Sequence, residues 1–243
     1  MKTLYHLLIS NPLYNGLVLL INFFPFFDAG VIVIIFTIII KLILLPLSIK
    51  ASLAQIEMKS HEKALNEIKE KHKDNKEEHA KKQIEYYKEH GINPFASLFI
   101  LIVQLPIIIG LYQIFINSGL PNINTTLLYS FVSVPVSINM MFLNIINITE
   151  KSLFLAVIVG ITTYFQVSTA SNTQQVDLNQ KGMQADIARN MTTSMKYFLP
   201  LLMFYISYRF SVGVALYLIT SNLFAIAQEI YIKKKYHKQA IVV

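Results

Sequence analysis

Long apolar stretches make up most of this chain, and one highly charged segment separates the first stretch from the others. A helix needs about 20 mostly apolar residues to cross the ~30 Å hydrocarbon core of a bilayer. Five stretches approach that length and predict transmembrane helices, at residues 28–49, 95–116, 152–170, 197–212 and 213–232. The last two meet at Arg209 to Gly213 with no room for a loop, which predicts a helical hairpin.

Two further apolar stretches, 3–27 and 125–148, are interrupted by Asn and Pro. Such interruptions favour an interfacial or partly embedded helix over a span that faces lipid. We therefore expect an amphipathic interfacial helix within residues 1–27 and an extracytoplasmic segment at 117–151. The remaining connections are expected to be a cytoplasmic loop at 171–196 and a basic cytoplasmic tail at 233–243.

Residues 50–92 form the charged segment, with ten Lys and nine acidic residues. Good helix formers dominate it, and Asp74-Asn75 is a plausible turn, so a cytoplasmic hairpin of two antiparallel helices is expected. A thin apolar seam is predicted to join the two arms, from Leu53, Ile56, Leu65 and Ile68 on one arm and Ala80, Ile84 and Tyr87 on the other. Two interpretations of this hairpin stay open, a solvated spacer and a docking platform for a partner.

The distribution of basic residues predicts the orientation. Five spans place the Lys residues of 50–92, of the 171–196 loop and of the tail on one side, whereas the other side receives Lys2, Lys151 and Arg209. Positive residues concentrate on the cytoplasmic side of membrane proteins. We therefore expect a multi-pass membrane protein with its N-terminus outside and its C-terminus inside.

Composition supports the membrane class. Hydrophobic residues make up 54% of the chain and charged residues 14%, against about a quarter in soluble domains. The fold class is therefore an all-α integral membrane protein, and the excess of basic residues (21 against 14 acidic) is explained by topology rather than by nucleic-acid binding. The absence of cysteine excludes disulfides, thiol catalysis and iron–sulfur ligation.

Enzymatic motifs are missing from the sequence, which predicts a protein that is not an enzyme and carries no cofactor or metal. Four histidines lie in the charged hairpin, where solvated surface side chains are expected: His61, His72, His79 and His90.

Lys41 is the residue that most needs an explanation, because a cation within hydrocarbon costs roughly 2.5–3.5 kcal/mol on insertion scales. It lies about 13 Å from the end of its span at Lys50, farther than a Lys side chain of about 6 Å reaches comfortably. Snorkelling is one interpretation, and a wet cavity open to the cytoplasm is the other. The polar residues that we expect to line such a cavity are Lys41, Gln104, Gln113, Thr162, Thr163, Gln166, Ser221, Asn222 and Gln228.

Four blocks of the sequence resemble the core spans of one known family. The first is Asp28-Ala-Gly with the run from Phe36 through Lys41 to Ser48. The others are Asn93-Pro94 with Gln104-Leu-Pro-Ile and Gly110-Leu-Tyr112, then Gly160 to Gln166, and finally Leu199-Pro200 with Ser211 to Tyr217, Ser221-Asn222 and Gln228. Their order and spacing over residues 12–236 resemble the YidC/Oxa/Alb membrane protein insertases, of the bacterial type without a large extracytoplasmic domain.

This resemblance implies five transmembrane helices around a hydrophilic groove that is open to the cytoplasm and closed toward the outside. It implies an insertase and chaperone of the bacterial plasma (inner) membrane that inserts and helps fold newly made membrane proteins without ATP hydrolysis. The implied partners are nascent membrane protein clients and the lipid bilayer, with a ribosome or a secretory translocon as further candidates, and the implied functional unit is a monomer.

Two other functions stay open at this stage. A solute or anion transporter would use Lys41 as its anion site, and a purely structural protein would pack its polar faces dry against each other. The family usually carries Arg where this chain has Lys41, and Lys lacks the rigid bidentate fork of Arg.

Overall fold

The computed structural model describes residues 5–73, 75–92, 106–115, 120, 122–171 and 183–236, and most of these residues are helical. A short π-helical segment, His6–Ser10, leads into the first α-helix. The α-helices of the described residues are α1 (Asn11–Phe23), α2 (Ala29–Ser60), α3 (Glu62–Lys71), α4 (Lys76–Glu89), α5 (Pro106–Phe115), α6 (Leu153–Ser171), α7 (Met183–Arg209) and α8 (Val212–Tyr236).

Among these described helices, three are long and apolar enough to cross a membrane: Ala29–Met58, Leu153–Ala170 and Val212–Lys235. The second expected span, 95–116, falls largely outside the described residues, and α5 is its described part. Most of the fourth expected span, 197–212, lies in α7, which ends at Arg209 and begins earlier than expected, at Met183 within the expected loop. Since its first half is polar, α7 presents a short apolar length at its end.

Helix α1 occupies the segment for which an interfacial helix is expected. Pro12 lies in its first turn, where the missing backbone N–H costs nothing. Helix α1 packs against α2 through side chains that recur on one face, and this face is buried: Leu13, Tyr14, Leu17, Val18 and Ile21. The chain then leaves the helix at Phe24, before Pro25, and enters α2 at Ala29.

Residues 122–150 are here called the cap. The helix that the sequence favoured at 125–148 is wrong. The described structure of the cap is a 3-10 turn (Thr125–Leu127) and a small antiparallel hairpin of β1 (Met141–Phe142) and β2 (Ile146–Asn147). Pro135 and the many Asn residues disfavour a helix here. The cap bonds to side chains of α1 instead.

Buried Asn15 of α1 holds the cap most directly. Its amide nitrogen donates to the carbonyl of Leu127 at 2.8 Å, and its amide oxygen accepts from the backbone N–H of Tyr129 at 2.7 Å. The hydroxyl of Tyr14 accepts from the backbone N–H of Asn124 at 2.8 Å. Cap backbone groups are thus paired by helix side chains, as buried polar groups require.

Asp28 joins the hairpin to the start of α2. Its carboxylate accepts the backbone N–H of Val31 at 2.9 Å, as an N-cap residue does, and that of Leu143 at 3.1 Å. The N–H of Ala29 donates to the carbonyl of Asn139 at 2.8 Å. The hairpin therefore lies at the level of the first turn of α2.

The start of α8 is also joined to the cap. The N–H groups of Val212 and Gly213 donate to the carbonyls of Glu150 and Ile148, at 2.7 and 2.9 Å. Helix α6 begins directly after the cap, at Leu153. Helices α2, α6 and α8 therefore start together at one end of the bundle, which we call the capped end, and run parallel toward the opposite end.

The charged segment contains α3 and α4, which pack on each other. Asn75 caps α4 by accepting the N–H of Glu78 at 3.2 Å, close to the expected turn. His61 at the start of α3 is hydrogen-bonded to the hydroxyl of Tyr86 near the end of α4 at 2.8 Å, so the two helices are antiparallel. On exposed α4, the Lys82–Glu85 hydrogen bond lowers the pKa of Glu85 and raises the pKa of Lys82.

The expected apolar seam of this hairpin is partly wrong. Ala80 and Ile84 are exposed, whereas Tyr86 and Tyr87 are half-buried. Helix α2 continues to Ser60, beyond the expected end of its span, and His61 connects it to α3. Because His61 is hydrogen-bonded to Tyr86, the face of α4 that carries the tyrosines is turned toward α3.

We predict that Gly30→Ala destabilises the protein. A Cβ at Gly30 would lie 2.8 Å from the Cβ of Phe142, an atom next to the hairpin backbone that cannot rotate away. Overpacking of this kind costs about 1–3 kcal/mol. Thermal unfolding in detergent, followed by circular dichroism, should show a lower midpoint for this variant.

Gly160→Ala is the matched control, because both glycines lie in helices and both gain helix propensity on substitution. A Cβ at Gly160 would meet the Cβ of Phe204 at 3.3 Å, a milder contact. Equal midpoints for the two variants would contradict the tight contact between the hairpin and α2.

Candidate functional site

Eight of the nine polar residues expected in a groove lie on described helices, and Gln104 lies outside the described residues. They are distributed over α2, α5, α6 and α8. Their positions are Lys41 on α2, Gln113 on α5, Thr162, Thr163 and Gln166 on α6, and Ser221, Asn222 and Gln228 on α8.

Asn222 forms a buried polar contact between α8 and α6. Its amide nitrogen donates to the hydroxyl oxygens of Thr162 and Thr163, at 3.1 and 2.9 Å. The hydroxyl of Thr163 in turn donates to the carbonyl of Val159 at 2.7 Å, and that of Thr162 to the carbonyl of Ile158 at 2.8 Å. These side chains are buried and mutually bonded, so they hold two helices together.

Ser48 and Gln228 join α2 to α8 nearer the opposite end of the bundle. The Gln228 amide nitrogen lies 2.7 Å from the Ser48 hydroxyl, and both side chains are half-buried. Because α2 and α8 are parallel, this contact sets their register. Lys41 lies seven residues before Ser48, and Ser221 lies seven residues before Gln228.

Lys41 therefore lies at the level of Ser221 and Asn222, about 10 Å along the axes from the Ser48–Gln228 contact at 1.5 Å per residue. Lys41 is half-buried, and it shares the face of α2 that carries Thr37 and Ser48. Register thus brings Lys41 and the polar contact between α6 and α8 to one depth in the bundle.

Packing differs between the two halves of α2. From Ala29 to Thr37 most side chains are buried, including Ile32, Val33 and Phe36. From residue 38 to residue 50 each side chain is half-buried or exposed. Lys41 lies where the tightly packed part of α2 has just ended.

The capped half of α8 is apolar and tightly packed as well. Every residue from Val212 to Leu218 is buried, with Tyr217 among the largest fully buried side chains. Gly213 lets the ring of Phe115 approach, since a Cβ there would lie 2.6 Å from it. A packed layer of α2, α5 and α8 therefore lies between Lys41 and the cap.

Gln113 lies in that packed layer, nearer to the capped end of the bundle than Lys41. It lies two residues before Phe115, which contacts Gly213, and eight residues of α8 separate Gly213 from Ser221. That separation is about 12 Å along the helix axis. Gln166 lies on the other side of the Thr162–Thr163 pair, one turn further along α6, and is half-buried.

The structure adds polar residues that the sequence analysis did not include in the groove. Lys233 donates to the carbonyl of Thr169 on α6 and lies 3.9 Å from the carboxylate of Glu229, which Ser52 of α2 also hydrogen-bonds. The sequence contains a sign of these contacts in the spacing of four residues, which places Ser52 on the same helix face as Ser48 and Lys233 on the same face as Glu229. Polar contacts thus continue from the level of Lys41 to the opposite end.

Metal chemistry has no candidate site among the described residues, where no group of three or more His, Asp or Glu side chains could hold an ion. The rings of His61 and His90 do approach, with centroids 5.1 Å apart, and both bond to Tyr86. This pair lies in the charged hairpin, remote in sequence from the polar residues of the spans.

Comparison with known proteins identifies the family. The family model described as 60Kd inner membrane protein matches residues 19–239. A membrane protein insertase YidC of Clostridium tetani is 32% identical over 219 residues, which cover 89% of this chain and 86% of that protein. One of Fusobacterium nucleatum is 31% identical over 209 residues, or 85% of this chain and 86% of that protein.

A longer relative matches with part of its length. The membrane protein insertase YidC of Chlorobaculum tepidum is 25% identical over 202 residues, which cover 83% of this chain and 32% of that protein. The family resemblance found in the sequence is thereby confirmed. This chain belongs to the 60Kd inner membrane protein family, that is, to the YidC/Oxa/Alb family of membrane protein insertases.

Proposed function

We propose that this chain inserts newly made membrane proteins through a hydrophilic groove that is open at the end opposite the cap. The observation that carries the proposal is the position of Lys41. It is half-buried at the depth of the Asn222 contact, and the packed layer of α2, α5 and α8 lies between it and the cap. Membership of an insertase family supports the same function.

A groove of this kind lowers the main barrier to insertion. The polar flank of a client cannot cross bare hydrocarbon, because each unpaired polar group costs several kcal/mol there. A hydrated groove through the inner half of the bilayer shortens the dry path to the capped half. Burial of the apolar client helix, at about 25 cal/mol per Å², supplies the driving force, so ATP hydrolysis is not required.

The proposed orientation places the cap outside the cell. The charged helices α3 and α4 and the Lys233–Lys235 cluster at the end of α8 lie away from the capped ends of α2 and α8. Positive residues favour the cytoplasmic side. The groove then opens toward the cytoplasm, where clients are made, in a multi-pass protein with its N-terminus outside and its C-terminus inside.

Lys41 supplies positive potential in the groove. A charge within the membrane attracts an acidic or polar client segment more strongly than the same charge in water. Lys attracts such a segment as a point charge, whereas Arg in this position would add bidentate geometry. We therefore expect Lys41 to retain clients through electrostatic attraction rather than through a fixed carboxylate clamp.

The proposed partners are nascent membrane proteins and lipid, and the proposed functional unit is the monomer. The α3–α4 hairpin and the Lys233–Lys235 cluster are the surfaces proposed for contact with a ribosome or a secretory translocon. Both surfaces are rich in Lys, which binds phosphate groups of RNA or anionic lipids.

We predict that Lys41→Ala lowers insertion by about fivefold, the factor that ~1 kcal/mol of lost attraction gives. The measurement uses protein reconstituted in proteoliposomes and a short single-spanning client with an acidic translocated segment. Lys41→Arg should keep insertion at or above the level of the unchanged protein. Lys50→Ala is the matched control, because Lys50 is an exposed residue on the same helix.

Equal insertion by the Lys41→Ala and unchanged proteins would contradict a role for the charge. Anion flux through the same proteoliposomes, lost in Lys41→Ala, would support the transporter alternative instead.

We predict that Asn222→Ala lowers stability but leaves insertion unchanged, whereas Lys41→Ala lowers insertion. The Asn222→Ala change removes the two hydrogen bonds to Thr162 and Thr163 and should lower the free energy of unfolding by about 0.6–1.7 kcal/mol, the range of such contacts in membranes. At temperatures where the variant is folded, insertion should persist. Thermal unfolding and insertion measured on one preparation test this, and lost insertion with unchanged stability would assign Asn222 to the groove.

A further inference from the structure

The cap carries large apolar side chains that protein packing leaves exposed. Val136 is fully exposed, and Ile145 and Phe131 are 78% and 72% exposed. Val134, Met141 and Leu143 of the cap are also exposed, as are Phe23, Phe26 and Phe27 at the same end of the bundle. Soluble surfaces rarely carry so many large apolar groups together, and such patches mark interaction or membrane sites.

The contacts of the cap fix the depth of this surface. Asp28 and Ala29, at the first turn of α2, bond to Leu143 and Asn139 of the cap. Ala29 is also the first residue of an apolar helix long enough to span the membrane. The hairpin therefore lies at the plane where the hydrocarbon-spanning part of the bundle ends.

The exposed surface is continuous with side chains at the start of a second spanning helix. Leu153 and Phe154, in the first turn of α6, are 58% and 74% exposed. The cap precedes α6 directly and pairs with the start of α8 through Glu150 and Ile148. Apolar side chains of the cap thus extend the lipid-facing surface of the spans.

Charged residues are confined to the borders of this part of the sequence. Residues 91–149 contain no charged residue and no histidine, and neither do residues 7–27. A protein surface in contact with water normally carries charged residues, whereas charged residues are costly within lipid. The scarcity of charge here is therefore typical of a surface in contact with lipid. The charged residues that border this part are Asp28, whose carboxylate accepts the N–H of Leu143, and Glu150 and Lys151, where the cap meets α6.

The turn at the tip of the hairpin holds an apolar side chain outward. Leu143 has φ of +50° and Asn144 has φ of +57°. The N–H of Ile145 donates to the carbonyl of Phe142 at 2.9 Å across these two residues, and tight hairpin turns require positive φ at both central positions. Asn adopts this conformation readily, whereas it is unfavourable for Leu. Leu143 is 57% exposed, so the turn presents a large apolar side chain at its tip.

We propose that the cap and the neighbouring turn at Phe26–Phe27 form a membrane-inserted surface. The hairpin tip at Leu143–Ile145, the loop around Phe131–Val136 and the turn at Phe26–Phe27 penetrate the headgroup and upper acyl region of the leaflet at the capped end. The partner is phospholipid of that leaflet. The proposal requires the membrane placement of α2, α6 and α8 and is independent of the insertase groove.

The chain has no cysteine, so single labels can be placed in the full-length protein. Ile145→Cys and Val136→Cys, each carrying an environment-sensitive fluorophore, are measured in nanodiscs of phosphatidylethanolamine and phosphatidylglycerol. Lys81→Cys, exposed in the charged hairpin, is the water control, and Phe154→Cys is the lipid control. Quenching by aqueous iodide is compared with quenching by lipids that carry a nitroxide at carbon 5 or carbon 12.

We expect both cap labels to resemble the Phe154 label, with blue-shifted emission and iodide quenching several-fold weaker than at position 81. Quenching should be stronger from carbon 5 than from carbon 12, as shallow insertion requires. Iodide quenching equal to that of the position 81 label would overturn the proposal. Shielding from both quenchers would also overturn it, because the surface would then be covered by protein, such as a second copy.

Discussion

A polar group placed in hydrocarbon must be hydrogen-bonded or hydrated, and this constraint shapes the interior of the bundle. Between α6 and α8 the polar groups are hydrogen-bonded to each other, since Asn222 donates to Thr162 and Thr163. Between α2 and α8 the polar groups of Ser48 and Gln228 are hydrogen-bonded to each other. The same contacts fix the register of parallel helices, and that register gives Lys41 its depth. The cost of unpaired polar groups thus connects the packing of this protein with its proposed groove.

The cap gives the bundle its asymmetry. Side chains of α1 and the N-cap residue Asp28 satisfy the backbone of an irregular segment, so this segment covers the starts of α2, α6 and α8 without forming a helix. Beneath it the helices are tightly packed and apolar, whereas residues 38–50 of α2 are half-buried or exposed. One end is closed by hydrogen bonds to a loop, and the other contains polar contacts at several levels. This asymmetry suits a protein that accepts clients from one side.

The sequence predicted what depends on local composition and could not predict what depends on tertiary partners. Apolar length predicted the helix that contains Lys41, and the motif blocks identified the family. The expected helix at 125–148 is wrong because the apolar pattern does not reveal that Asn15 pairs with the cap backbone. Ile84 was expected in the hairpin seam, but the bond between His61 and Tyr86 turns it outward. Asn222 was selected as a groove residue from its polarity, and its buried pairing follows from helix register, which one sequence does not contain.

The most direct measurement is the accessibility of position 41 to water from each side of the membrane. Lys41→Cys and Phe36→Cys, in a chain without other cysteines, are treated with a charged, membrane-impermeant thiol reagent in inside-out and right-side-out vesicles. A groove open at the cytoplasmic end predicts that position 41 reacts from the cytoplasmic side alone and that buried Phe36→Cys reacts from neither side. A position 41 that is inert from both sides, or that reacts from the outside, would contradict a hydrated groove closed by the cap.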